Sequence, residues 1–370
     1  MLTRWMQWIR SPRRDAADSA DTADGDAPDA DKRPVLSNTP PRDRKTRSAG
    51  MLPPTPPDRL FTPEGLERAW LAIKQAGGGA GVDGVTIAKF EANRAAELEA
   101  LRSALVGGAY RPQPVKQIMV PKVKGGLRPL ALWALRDRVA QRALYDLLAP
   151  VFEPTFLPCS FGFRPGQSVQ DAVTALTALR DRNLRWVVDA DIKDCFDSIP
   201  TPRLMGLVKR RVQDPLVLRY VGGWLNAHLL NSADGVPRKA GASQGNVLSP
   251  LLANIYLHEV DRQITGRNVA YLRYADDFVV CSQRKSDAED AMQLCDAVLR
   301  KWGLGVNERK TRVVHFDEGF TWLGYFFVRR ECYRLAGDVQ GGAKGGKAVR
   351  KDGERATKAG KRRKQAATTK

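Results

Sequence analysis

Between Val269 and Cys281 the chain reads Val-Ala-Tyr-Leu-Arg-Tyr-Ala-Asp-Asp-Phe-Val-Val-Cys. Two β-prone runs flank Ala275, Asp276 and Asp277, so the stretch predicts a β-hairpin with adjacent carboxylates at its tip. Neighbouring side chains on a straight strand point to opposite faces, whereas a tight turn can bring both toward one point. A third carboxylate nearby would complete a site for a divalent metal. Asp is also a common turn residue, so an isolated Asp-Asp reads more simply as a turn. The rest of the chain has to decide.

Trp186-Val-Val-Asp-Ala-Asp-Ile192 is the second stretch of this kind. In strand geometry Val187, Asp189 and Asp191 share one face, and Val188, Ala190 and Ile192 share the other. Two carboxylates on one face of a core-like strand are costly unless they are solvated or bound to a cation. Asp191 is thus the third carboxylate that the hairpin needs; its plainer role is to cap the following turn.

Charge narrows the partner. A formal net charge of +19 suggests a polyanion, with nucleic acid the first candidate. A chain of 370 residues with 43% hydrophobic content can bury one large core or two. No apolar run approaches the roughly 18 residues that span a membrane, so no membrane partner is expected. Five cysteines without a Cys-x-x-Cys pair, and three scattered histidines, offer neither a zinc framework nor a disulfide ladder. A reducing, cytoplasmic compartment is the expectation.

Residues 1–57 read as a disordered leader, because the Ala/Asp-rich and then Pro/Arg/Lys-rich stretch cannot bury enough apolar surface to offset its ordering entropy. Residues 337–370, rich in Gly, Ala, Lys and Arg, read as a basic disordered tail that binds polyanions or merely solubilises the chain. Between them, Thr62-Pro63 opens a helix with Leu66, Trp70 and Ile73 on one face, and further helices are expected over 92–105, 136–152 and 215–230. Ser168 with Asp171, and Ser286 with Glu289, have capping-box spacing, and Thr201-Pro202 and Ser249-Pro250 open helices. Residues 117–121 predict a strand leading into Lys122, Lys124, Gly125, Gly126 and Arg128, a turn that presents cations to phosphates or is a plain solvated hairpin tip. In Gly241-Ala-Ser-Gln-Gly245, a glycine-flanked Gln at a helix entrance suits close approach to a flat partner.

Taken in order, Asp191-Ile-Lys-Asp-Cys-Phe196, Ser243-Gln-Gly-Asn-Val-Leu-Ser-Pro-Leu-Leu-Ala-Asn-Ile-Tyr-Leu257 and Tyr274-Ala-Asp-Asp277 resemble a reverse transcriptase palm, most of all that of the group II intron type. Arg128-Pro-Leu130, Arg136-Asp-Arg138, Ser160-Phe-Gly-Phe-Arg-Pro-Gly166 and the 320–326 stretch resemble further blocks of that family in the same order. The resemblance runs from about residue 60 to 330. It implies an α+β fold of the right-hand polymerase kind: fingers over 58–185, and over 186–336 a palm whose antiparallel sheet carries the catalytic hairpin on packed helices.

It also implies roles. Asp191, Asp276 and Asp277, with Ile192 beside them, would hold two Mg²⁺ ions, for which Mn²⁺ can substitute. Carboxylates about 4 Å apart repel by several kcal/mol per pair even at an effective dielectric of about 20, so such a site is metal-dependent. Lys122 and Arg128 match residues that grip the incoming triphosphate, and Gln244 and Gly245 the loop beneath the nascent base pair. Ile192 adjoins that nucleotide pocket, and Phe196 matches an aromatic that excludes a ribose 2′-hydroxyl, or is a plain core Phe. Lys310 matches a lysine that protonates pyrophosphate, or is a free surface lysine. Trp322, Leu323, Gly324 and Tyr325 match the primer grip, though any hairpin packed on a core shows such aromatics.

The implied partners are an RNA template, a DNA or RNA primer and dNTPs. After the primer grip the family continues into a helical thumb and maturase region, often with an endonuclease, and no such region is recognisable here. The expected activity is RNA-directed DNA synthesis, with an accessory protein or the basic tail standing in for a thumb. The alternatives are an intron-RNA-binding splicing factor with a dispensable polymerase site, and a reverse transcriptase linked to CRISPR or phage-exclusion defence.

Overall fold

Thr62 Oγ1 accepts the Gly65 N–H at 3.0 Å and opens α1 (Pro63–Ala76), with Pro63 in the first turn, where its missing N–H costs no hydrogen bond. Leu66, Trp70 and Ile73 line its buried face. Helices α2 (Arg94–Val106) and α3 (Leu135–Phe152) pack against it. The reciprocal box of Ser168 and Asp171 opens α4 (Val169–Asp181). Then come α5 (Thr201–Lys209), α6 (Pro215–Leu225), α7 (Ser249–Thr265) and α8 (Lys285–Lys301).

The computed structural model describes residues 50–121, 126–230, 238–239, 241–242, 244–267 and 269–335, all within one compact unit. The expectations for Lys122, for most of the leader (1–49) and for the tail (337–370) lie outside the described residues. Residues 52–55, which the sequence assigns to the leader, lie against the folded chain: Leu52 bridges Val212, and the Thr55 N–H donates to Asp214 Oδ2 at 2.9 Å.

Strands form three sheets. In the first, β1 (Val115–Pro121) pairs antiparallel with β2 (Leu127–Leu132) and parallel with β4 (His228–Leu230), which pairs with β5 (Arg238–Lys239). The second is antiparallel throughout, in the order β6 (Ala270–Tyr274), β7 (Asp277–Ser282), β3 (Trp186–Asp191), β8 (Arg312–His315). The third joins β9 (Phe320–Trp322), β10 (Tyr325–Val328) and β11 (Glu331–Arg334). This is the mixed helix and strand content that the sequence predicts.

The second sheet divides the core. Val188, Ala190 and Ile192 face the larger apolar cluster, toward which α8 packs, while Val187 joins Leu272, Val279, Val314 and Phe161 in a second cluster with α4 and the third sheet. The alternation read from Trp186–Ile192 is therefore the division between two cores.

Three local expectations are corrected. The expected helix over 215–230 stops at Leu225, and His228–Leu230 is a strand, because it is captured by Val115 and Lys116 far back in the sequence. The Ser286/Glu289 capping box is absent: α8 begins at Lys285, two residues before a Ser286 cap would start it, and Arg284 at the N-cap pairs with Asp287 (2.9 Å). Ser249 does not cap α7 with its side chain, and the helix simply starts there after the Asn246–Leu248 turn.

Candidate active site

The hairpin expected at 269–281 is β6–β7, closed by the two-residue turn Ala275-Asp276 between the paired residues Tyr274 and Asp277. Ala275 takes a positive φ of 59°, as tight hairpin turns require. On its other edge β7 pairs with β3 in a register that sets Asp277 opposite Asp191. Strand register thus puts two of the carboxylates side by side, and the turn adds Asp276 next to them.

The backbone around them is tightly tied. Ile192 N–H donates to Asp276 O (3.0 Å), Asn307 N–H to Asp191 O (2.7 Å) and Lys193 N–H to Gly305 O (2.9 Å). Lys310 Nζ donates to Asp191 Oδ2 at 2.6 Å. Burial lowers the Lys310 pKa, but the hydrogen bond and charge of Asp191 and the neighbouring Asp277 and Asp276 more than offset it, so the net shift is upward. Asp276 is raised by burial and then by the Asp191 charge. Asp277 is pushed well above the ordinary carboxylate range by burial, by the charges of Asp276 and Asp191, and by a hydrogen bond with Asp191.

Among the described residues, no three acidic, imidazole or thiol side chains are already spaced to close on one ion. The donor set nonetheless fits a hard divalent cation: all are carboxylate oxygens, two of them in hydrogen-bonding contact, and their mutual repulsion is what a bound cation relieves. Ile192 has a buried aliphatic side chain, so what it can offer a cation is backbone. Asp189, the other acid of β3, pairs with Arg312 (3.1 Å) on β8.

The remaining candidates lie in different elements. Phe196 lies in the single helical turn Cys195–Ser198, 7% exposed, with its ring edge-on to Phe163 at 6.2 Å. Gln244 O accepts the Ala131 N–H (2.8 Å), which joins the Gln loop to β2, and a Cβ on Gly245 would lie 2.2 Å from Ala131 O. Arg128 lies on β2, half-buried, its pKa lowered by that burial and its Nε without a partner. Trp322, Leu323, Gly324 and Tyr325 form the β9–β10 turn of the third sheet, where Tyr325 Oη donates to Gln170 Oε1 (3.0 Å).

Sequence reasoning missed the buried polar network behind the hairpin, centred on Arg273 with Asp261, Asn254 and Ser160. Its trace in the sequence is a single arginine inside an otherwise aromatic and aliphatic strand. It also missed Asp137, which accepts from Tyr110 Oη (2.6 Å) and from the Gln113 N–H (3.0 Å) and is pushed up to about 6 by burial.

The fold mixes helices and sheets and registers a carboxylate hairpin against an acidic strand, and comparison with known proteins gives its class. Residues 120–327, more than half of the chain, match the family model described as reverse transcriptase (RNA-dependent DNA polymerase). The protein YkfC of Escherichia coli (strain K12) is 34% identical, over 74% of this chain and 82% of that one. The group II intron-encoded protein LtrA of Lactococcus lactis subsp. cremoris is 27% identical over 62% of this chain; the match spans only 49% of LtrA, about half its length. Among solved structures, telomerase from Candida albicans shares the fold, with a TM-score of 0.50 at 14% identity, covering 69% of this chain and 51% of that one. The chain belongs to the reverse transcriptase family, and group II intron-encoded proteins are among its relatives. All five cysteines are free thiols, and among the described residues no helix is long and apolar enough to cross a membrane.

Proposed function

We propose that the protein is an RNA-directed DNA polymerase that joins dNTPs to a primer 3′-hydroxyl on an RNA template. The observation that carries this reading is the register that sets Asp277 opposite Asp191, with Asp276 at the turn. In this reading Asp191, Asp276 and Asp277 hold two Mg²⁺ ions, which when bound lower the pKa of the 3′-hydroxyl and stabilise the leaving pyrophosphate.

The chain's own groups supply the rest. Lys310, already hydrogen-bonded to Asp191, stands at the carboxylates with a proton to give to pyrophosphate. Arg128 and Lys122 grip the triphosphate, where a guanidinium can chelate two oxygens. Gln244 and Gly245, tied to β2 through Ala131, floor the nascent base pair. Phe196, backed by Phe163, fills the space that a ribose 2′-hydroxyl would need. Trp322, Leu323, Gly324 and Tyr325 hold the primer strand against the sheet. The first sheet and its helices then serve as fingers and the second as the palm.

The test is primed dNTP incorporation on an RNA template in Mg²⁺. Asp276→Ala is expected to abolish it while leaving thermal unfolding cooperative; undiminished incorporation by that variant sinks the reading. A second reading, a role on intron RNA that does not need polymerisation, is favoured by the likeness to an intron-encoded protein. It predicts that the Asp276→Ala protein still supports splicing of its intron.

A further inference from the structure

The polymerase reading leaves unexplained why Ser160-Phe-Gly-Phe-Arg-Pro-Gly166 and a fully buried Arg273 lie against the hairpin. Arg273 is 0% exposed, and its whole guanidinium is used. Nε and Nη2 donate to Asp261 Oδ1 and Oδ2 of α7 at 2.8 and 2.7 Å, Nη2 also to Ser160 Oγ at 2.8 Å, and Nη1 to Asn254 Oδ1 and to the carbonyl of Ala275, both at 3.0 Å. Its backbone is pinned as well: Arg273 N–H donates to Cys159 O (2.8 Å) and Phe161 N–H to Arg273 O (2.9 Å).

Asn254 turns this into a loop of contacts. While its Oδ1 accepts from Arg273, its Nδ2 donates to Gly162 O at 2.9 Å. Gly162 in turn presses on the hairpin tip: a Cβ there would stand 2.2 Å from Ala275 N and 2.9 Å from Ala275 Cα. The carbonyls of both turn residues are thereby held, that of Ala275 by Arg273 Nη1 and that of Asp276 by the Ile192 N–H. A left-handed alanine is unfavourable by itself, so the turn keeps this shape because its surroundings impose it. A buried Arg–Asp pair adds little stability over an apolar pair of the same volume, so what the arrangement secures is geometry.

We infer that Ser160, Gly162, Asn254 and Arg273 form a brace whose task is to position Asp276 and Asp277 for metal binding. They are positioning residues, touching neither metal nor substrate. The inference rests on the polymerase reading for its biological meaning, but the metal affinity it predicts can be measured without catalysis.

The experiment uses the full chain and follows Mn²⁺ binding by the electron paramagnetic resonance of the free ion, alongside thermal unfolding and the Mg²⁺ dependence of incorporation. Gly162→Ala and Asn254→Ala are expected to weaken Mn²⁺ binding by about 10–100-fold, the usual consequence of losing an outer-shell partner. The Mg²⁺ concentration for half-maximal incorporation should rise in parallel, with a smaller loss of rate at saturating Mg²⁺. Leu101→Ala, a core truncation in α2, should lower the unfolding temperature yet keep wild-type Mn²⁺ affinity. Wild-type Mn²⁺ affinity in both brace variants overturns the inference, as does an equal loss of affinity in Leu101→Ala. Should Gly162→Ala fail to fold, Asn254→Ala decides alone. Wild-type protein that binds Mn²⁺ but incorporates no dNTP refutes the polymerase reading, and the brace is then judged on Mn²⁺ affinity.

Discussion

Three carboxylates brought together by strand register and a turn oppose one another unless one of them keeps a proton, and Asp277 shows this most. Its folded pKa lies well above the ordinary carboxylate value, chiefly through burial and then through the charges of Asp276 and Asp191. Between the ordinary value and the raised one, the folded state binds more protons than the unfolded state, so metal-free stability falls as pH rises through that window. Asp137, raised to about 6 by burial, tilts the curve in the same direction below neutrality. The difference between wild type and Asp277→Asn isolates the hairpin, because the amide keeps the shape and cannot ionise. In a chelator, Asp277→Asn should unfold at a higher temperature than wild type at pH 8, with the gap closing as pH falls toward 4; each unit of displaced pKa is worth about 1.4 kcal/mol. Saturating Mg²⁺ should reverse the order at pH 8. A variant no more stable than wild type in chelator at pH 8 would show that the carboxylates do not oppose one another.

At the scale of elements, the junction that matters is between the Gln244–Gly245 loop and β2, since it ties the floor of the proposed nucleotide pocket to the strand that carries Arg128. Gly245 has a φ of +108°, and a methyl group there would meet the Ala131 carbonyl at 2.2 Å. Gly245→Ala must therefore break the 2.8 Å bond from Ala131 N–H to Gln244 O or shift β2. The expected result is a loss of about 1–3 kcal/mol in stability from the strained backbone, together with a rise in the KM for dNTPs; an unchanged KM would detach the loop from nucleotide binding. The sequence reads the glycine-flanked Gln as suited to close approach to a flat partner; what Gly245 meets is the Ala131 carbonyl of a strand of the same chain, which no local pattern announces. The β6–β7 hairpin and the two faces of Trp186–Ile192 were legible, because alternation is local. What local pattern could not show was β4, whose pairing with β1 lies more than a hundred residues away in sequence, or the brace around Arg273, whose partners come from a loop, a helix and a turn. Such networks are written in tertiary contacts, and a lone arginine in an apolar strand is their trace.

At the scale of the whole molecule, the proposed function needs a hold on RNA, and the chain's charge can supply it. The net charge of +19 is spread along the chain, but its densest block is Lys361-Arg-Arg-Lys364, beyond the residues that match the family model. If binding of single-stranded RNA is largely electrostatic, log K falls linearly with log salt, with a slope of about −0.7 per phosphate neutralised. The proposed catalytic carboxylates and nucleotide pocket lie within the matched segment, so on that reading a basic block outside it changes how tightly template is held without altering the chemical step. Replacing Lys361, Arg362, Arg363 and Lys364 by Gln should therefore weaken RNA affinity at low salt and flatten the slope by roughly 2–3 units if most of those charges meet phosphates. The rate at saturating template should stay close to wild type. Filter binding across a salt series, run beside single-turnover incorporation, separates the two effects. An unchanged slope would place the template contacts outside this block, and a lost rate at saturation would mean that the block takes part in the polymerising complex itself.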